Sequence, residues 1–244
     1  MRALSAAELL DVWEHGFAQP PVERALTLLR AACPELSAES IAKLTVGDRD
    51  LRLLTLREWT FGSQLLCLAT CTGCGEQLEL SFRAGDLFAH EVRELDGYFS
   101  LPVGEYELTF RLPNSLDLME LSRLADVASG RQLLLARCIS KAERRGEEVA
   151  IAELPGFVLD DVVSRMGELD KSGDVQLSLN CPQCSRSSQP IFDIESFFWR
   201  EISAWANRIL REVHALASAY GWRESDILSM STWRRQVYLN LIAQ

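Results

Sequence analysis

The chain has 244 residues, 48% of them hydrophobic, enough to bury a core in one large domain or two small ones. Its net charge is −10, from 35 acidic against 25 basic residues, and its densest basic run, Lys141 to Arg145, is short and broken by Glu143. That balance argues against nucleic acid or an anionic membrane as partner, because both need neutralising cations, and no apolar run reaches the roughly 18 residues of a membrane-spanning helix.

The N-terminal stretch MRALSAAELLDVWEHG carries charge too early and too often for a signal peptide, so the expectation is a cytoplasmic, reducing location. In such a compartment the seven cysteines are not a disulfide framework. Ser5 followed by Glu8 predicts a capping box opening a helix over SAAELLDVWEHG. After Gln19-Pro20-Pro21 a second helix runs through Val22, Ala25, Leu26 and Leu29 towards Cys33-Pro34, and Ser37 caps a short third one. GDRDLRLLTLREWTFG reads as a fourth helix, stopped by Gly62. From Gln64 the pattern changes: QLLCLAT and EQLELSF alternate as strands, and Tyr106 to Leu112 is a third strand. Helices over SLDLMELSRLADVAS and GRQLLLARCIS follow, with Lys141 to Arg145 in a solvated loop or helix end. A short strand VAIAEL, an amphipathic helix FVLDDVVSRMGEL, and two more strand-like runs, VQLSLN and QPIFDI, complete the middle of the chain. Residues 195–220 form a long helix with one apolar stripe through Phe198, Ile202, Trp205, Ile209, Val213, Leu216 and Tyr220, and two further helices, RESDILSM and STWRRQVYLNLIA, close the chain. The expected fold class is α+β, mostly helical, with two β-hairpins forming a split zinc-ribbon-like core. The segments are 1–62, 63–194 and 195–244, in one compact unit.

Two Cys-x2-Cys steps, Cys71/Cys74 and Cys181/Cys184, each sit between strand-like runs. A shift of 110 residues superposes them and also places Phe82 on Phe192, Leu87 on Phe197 and Phe88 on Phe198, as in a degenerate internal repeat. A redox pair of the thioredoxin kind starts a helix, whose dipole lowers the thiol pKa; a hairpin tip offers no such dipole. Two facing tips offer four thiolates in a tetrahedron, which suits structural Zn²⁺. Gly73 and Gly75 permit the tight turn, and backbone N–H groups can donate to the sulfurs. Two unconnected pairs are the bland alternative. Cys33, Cys67 and Cys138 read as small buried hydrophobes. The three histidines, His15, His90 and His214, are isolated, and no phosphate-binding loop or nucleophile motif is present, so no catalytic residues are assigned.

The order of these features resembles the T-even-type baseplate hub and hub-assembly proteins of contractile phage tails, with relatives in contractile injection systems. The resemblance rests on GDRDLRLLTLREWTFG, LATCTGCGEQLELSF, FRLPNSLDLMEL, LLLARCI, LSLNCPQCSRSSQPIFDIESFFW and REVHALASAYGWRESDILSMSTWRRQVYLNLI. It spans residues 40–244, is most distinctive at the C-terminal end, and leaves the first 40 residues without a counterpart. It implies a non-enzymatic hub component or assembly chaperone that contacts hub, spike or tape-measure proteins, with no nucleic acid, membrane or small-molecule substrate. Trp199, Trp205, Tyr220, Trp222, Trp233 and Tyr238 are the expected partner-binding aromatics, with packing into the core as the competing reading. A zinc-ribbon adaptor in transcription or translation and a Cys-x2-Cys thiol oxidoreductase are the alternatives.

Overall fold

The capping box forms: the Ser5 hydroxyl accepts from the Glu8 N–H while the Glu8 carboxylate accepts from the Ser5 N–H, opening α1 (Ala6–Gly16). α2 (Pro21–Ala32) begins on Pro21, where a missing N–H costs no hydrogen bond, and the Ser37 hydroxyl caps α3 (Ala38–Lys43). Thr45 caps α4 (Val46–Phe61). Next to it the Gly47 N–H donates to Asp170 at 2.9 Å, an approach so close that a Cβ on Gly47 would lie 1.7 Å from the Asp170 carboxylate. β1 (Gln64–Thr70) and β2 (Gln77–Arg83) then pair antiparallel, followed by α5 (Ala84–Leu87).

The computed structural model describes residues 1–87, 97–124 and 126–242, so Phe88 and His90 lie outside the described residues. β3 (Phe99–Val103) and β4 (Tyr106–Phe110) form a hairpin, α6 (Ser115–Leu121) is capped by Asn114, and α7 (Val127–Cys138) runs straight into β5 (Ile139–Arg144). With β6 (Glu147–Glu148) these strands make a four-stranded antiparallel sheet in the order β3-β4-β5-β6. α8 (Gly156–Leu169) buries Val158, Val162 and Met166 with Leu108, Phe110 and Ile139 of the sheet. β7 (Leu179–Asn180) and β8 (Ser187–Ser188) form the second, shorter hairpin, and α9 (Ile194–Tyr220), α10 (Glu224–Ser229) and α11 (Thr232–Ile242) end the chain. The protein is mixed α+β and mostly helical, with small antiparallel sheets.

Two sequence expectations are corrected here. Lys141 to Arg145 is not a solvated loop or helix end: Lys141 to Arg144 lie in β5, paired with β4, with Ala142 buried. VAIAEL is not a strand: Ile151 to Glu153 form a 3-10 turn. By packing, the chain falls into two compact units. One unit joins Met1–Glu35 with Ile194–Gln244; the other is Leu36–Asp193. In the first, α9 buries Ala206 and Ile209 with Leu10 of α1, and Val213 and Leu216 with Ile227 of α10. The second holds the sheet core and both hairpins.

Candidate metal centre

Both hairpin tips turn by the same backbone device. The Cys71 N–H donates to the Glu76 carbonyl at 2.8 Å and the Gly75 N–H to the Cys71 carbonyl at 2.9 Å. At the second tip the Cys181 N–H donates to Arg186 and the Ser185 N–H to Cys181, both at 2.9 Å. The turn needs a left-handed residue after the second cysteine: Gly75 has φ +78° and Ser185 φ +57°. The repeat read from the sequence is therefore a repeat of backbone conformation. Ser185 is the functional position the sequence reading missed, although the 110-residue shift maps Gly75 onto it.

The tips bring the four thiols together. The Cys71 and Cys184 Sγ atoms lie 3.6 Å apart, as do those of Cys74 and Cys181, and all four lie within 4.8 Å of one another. The 110-residue shift exchanges these two close pairs, so the cluster has approximate two-fold symmetry. The T-shaped contact of Phe82 with Phe192, at 5.5 Å, sits on the same relation. Four sulfurs bound tetrahedrally at about 2.3 Å would be separated by about 3.8 Å, so the donor set and its spacing fit a zinc ion. Both 3.6 Å contacts join opposite hairpins, whereas a redox pair brings together the two thiols of one Cys-x2-Cys step. All seven cysteines are thiols; Cys71 and Cys181 are buried, Cys74 and Cys184 exposed.

Electrostatics point the same way. N–H donation from Gly73 and Cys74 lowers the Cys71 thiol to about 6. Cys74 receives the Glu76 N–H, yet desolvation and the three neighbouring thiols push it up to about 12. One negative charge is stabilised by the turn, and further charges are resisted by the first until a cation compensates them. Leu78, Leu179 and the partly buried Ala69, Leu80 and Leu177 pack around the cluster. Among the described residues no other group of His, Cys, Asp or Glu is placed to hold a metal. His15 and His214 are exposed, Cys33 and Cys138 are buried, and Cys67 is partly buried.

The six aromatics read as partner anchors have different fates. Trp199 is only 8% exposed, because its ring covers Gly16 at the end of α1 and lies under the Arg24 guanidinium of α2 at 4.9 Å. Trp205, Trp222 and Tyr238 are half-buried in the clusters that line α9. Tyr220 stacks on Trp222 at 4.5 Å and is 38% exposed. Trp233 is 77% exposed and shares one face of α11 with the exposed Val237 and Leu241.

Fold and site together define a mostly helical chain whose two distant hairpins meet at a closed set of four thiols. The family model described as T4 bacteriophage base plate protein matches residues 19–199, and the chain belongs to that family. The matched span contains both hairpins and all four clustered cysteines. It includes residues 19–39, where the sequence reading found no counterpart, and ends before residues 200–244, where that reading put its most distinctive resemblance. No curated protein and no solved structure matches.

Proposed function

We propose that the protein is a zinc-stabilised, non-enzymatic component or assembly factor of the baseplate hub. It would bind hub, spike or tape-measure proteins through the exposed face of α11. The carrying observation is that the family match encloses the complete four-thiol cluster. Cys71, Cys74, Cys181 and Cys184 would hold the ion, which supplies a cross-link between hairpins and no chemistry. A fourth protein ligand leaves no position open to water or substrate. Among the described residues no helix is long and apolar enough to cross a membrane.

The partner face is Trp233, Val237 and Leu241, large apolar side chains four residues apart and exposed together. Deleting the C-terminal helices would remove Ile209, Val213 and Leu216 from their core, so a surface substitution is the sharper test. Trp233→Glu should leave zinc content and melting temperature unchanged and weaken capture by co-expressed hub, spike or tape-measure proteins at least tenfold. Unchanged capture by the folded variant would refute α11 as the partner face.

A further inference from the structure

We propose that β1 is a self-pairing edge, through which a second copy of this chain joins its own β1 antiparallel to build a four-stranded sheet, β2-β1-β1-β2. The hydrogen bonds of the hairpin fix which way β1 points. The Ala84 N–H donates to Ser63 and the Cys71 N–H to Glu76, so residues 63 and 71 both sit in hydrogen-bonded pairs with the β2 side. Bonded and non-bonded pairs alternate along an antiparallel ladder, so 65, 67 and 69 also point towards β2. The backbone groups of Gln64, Leu66, Leu68 and Thr70 point outward, and among the described residues no strand pairs with that edge.

The same four residues carry the exposed side chains, Leu66 at 72% and Leu68 at 70%. An open edge with adjoining exposed leucines is an association template unless charge or proline guards it. Among the described residues the other edges are guarded or very short: β3 contains Pro102, β6 is Glu147-Glu148, the outward positions of β2 include Glu79 and Arg83, and β7 and β8 are two residues each. β1 has no charged residue and no proline.

A second copy is the occupant because the edge is self-complementary. Gln64, Leu66, Leu68 and Thr70 read polar, Leu, Leu, polar in both directions about Cys67. A two-fold axis at Cys67 sets Leu66 opposite Leu68 and Gln64 opposite Thr70, each in a hydrogen-bonded pair as their outward backbone groups require. It also lets two chains of net charge −10 meet along an uncharged seam. The two Cys67 residues then face each other as a non-hydrogen-bonded pair, Cα atoms about 4.5 Å apart, within disulfide reach.

Sedimentation of the full-length, zinc-loaded protein over a rising concentration series tests this. The mass should climb towards twice the 27.4 kDa of one chain. Leu66→Lys/Leu68→Lys should stay at one chain mass with an unchanged melting temperature, since both side chains are exposed. Oxidised glutathione, which takes up the two electrons and two protons that two thiols lose, should link the dimer covalently in wild type. In Cys67→Ser it should not, while the non-covalent dimer persists. A single-chain mass at every concentration, or a dimer indifferent to the double substitution, overturns the proposal. A dimer lost in the double variant but never linked through Cys67 overturns the two-fold register. A wild-type monomer that captures another baseplate protein through β1, and loses it in the double variant, also overturns it and gives the edge to a foreign strand.

Discussion

Asp117 shows how much a single buried charge depends on its partners. Its side chain is fully buried and accepts from Arg111 at 2.6 and 2.9 Å, from Arg137 at 2.7 Å and from the Asn114 N–H at 3.0 Å. Burial alone would raise the carboxyl; the donors outweigh it and hold the pKa below its ordinary 3.8. Asp117→Asn weakens both ion pairs inside the sheet unit and should cost about 3 kcal/mol at neutral pH, the range for breaking a buried pair. A depressed pKa means that this stabilisation is complete above the unfolded value and fades as pH falls through the lower, folded value. Denaturant titrations of wild type and variant should therefore differ most at pH 6–8 and converge below about pH 4. A gap that stays constant with pH would show that the carboxylate charge contributes nothing.

At the level of elements, the two hairpins stand or fall as a pair. Cys181→Ala should abolish zinc binding and lower the melting temperature by ten degrees or so, as expected for a loss of several kcal/mol. Cys138→Ala, a small deletion in the sheet core, should keep one zinc per chain and cost about 1 kcal/mol. Equal zinc loss in both variants, or in neither, would contradict the assignment of Cys181. Much of this architecture was legible in the sequence, for local reasons. Capping residues announce helix starts, QLLCLAT and EQLELSF alternate with period two, and a Cys-x2-Cys spacing is set by the turn itself. β3 and β5 were not legible. β3 carries Pro102, and β5, which begins where α7 ends, is half-exposed and mixes Lys141, Glu143 and Arg144 with two buried residues, so neither shows a clean alternation. They are strands because β4 pairs with both. The fate of Trp199 was hidden for a similar reason: it stands beside the apolar stripe of α9, and it is buried by Gly16 of α1 and Arg24 of α2, which no local pattern announces.

Over the whole molecule, the metal would act as a cross-link closing a long loop. Cys74 and Cys181 lie 107 residues apart in sequence and 3.6 Å apart in space. Tying such a loop removes unfolded-state entropy worth about 4–5 kcal/mol on the chain-entropy account, a large part of what holds a domain of this size. The β-sheet core and the hairpins lie in the same unit, Leu36–Asp193, and the metal would tether the hairpins at their tips, where, among the described residues, the buried apolar residues clustered with the thiols are Leu78 and Leu179. The most direct test is X-ray absorption at the zinc edge of the protein as purified from a zinc-replete expression host. The account predicts one zinc per chain with a first shell of four sulfurs at about 2.3 Å. Absence of zinc, or a first shell containing nitrogen or oxygen in place of any of the four sulfurs, would contradict it.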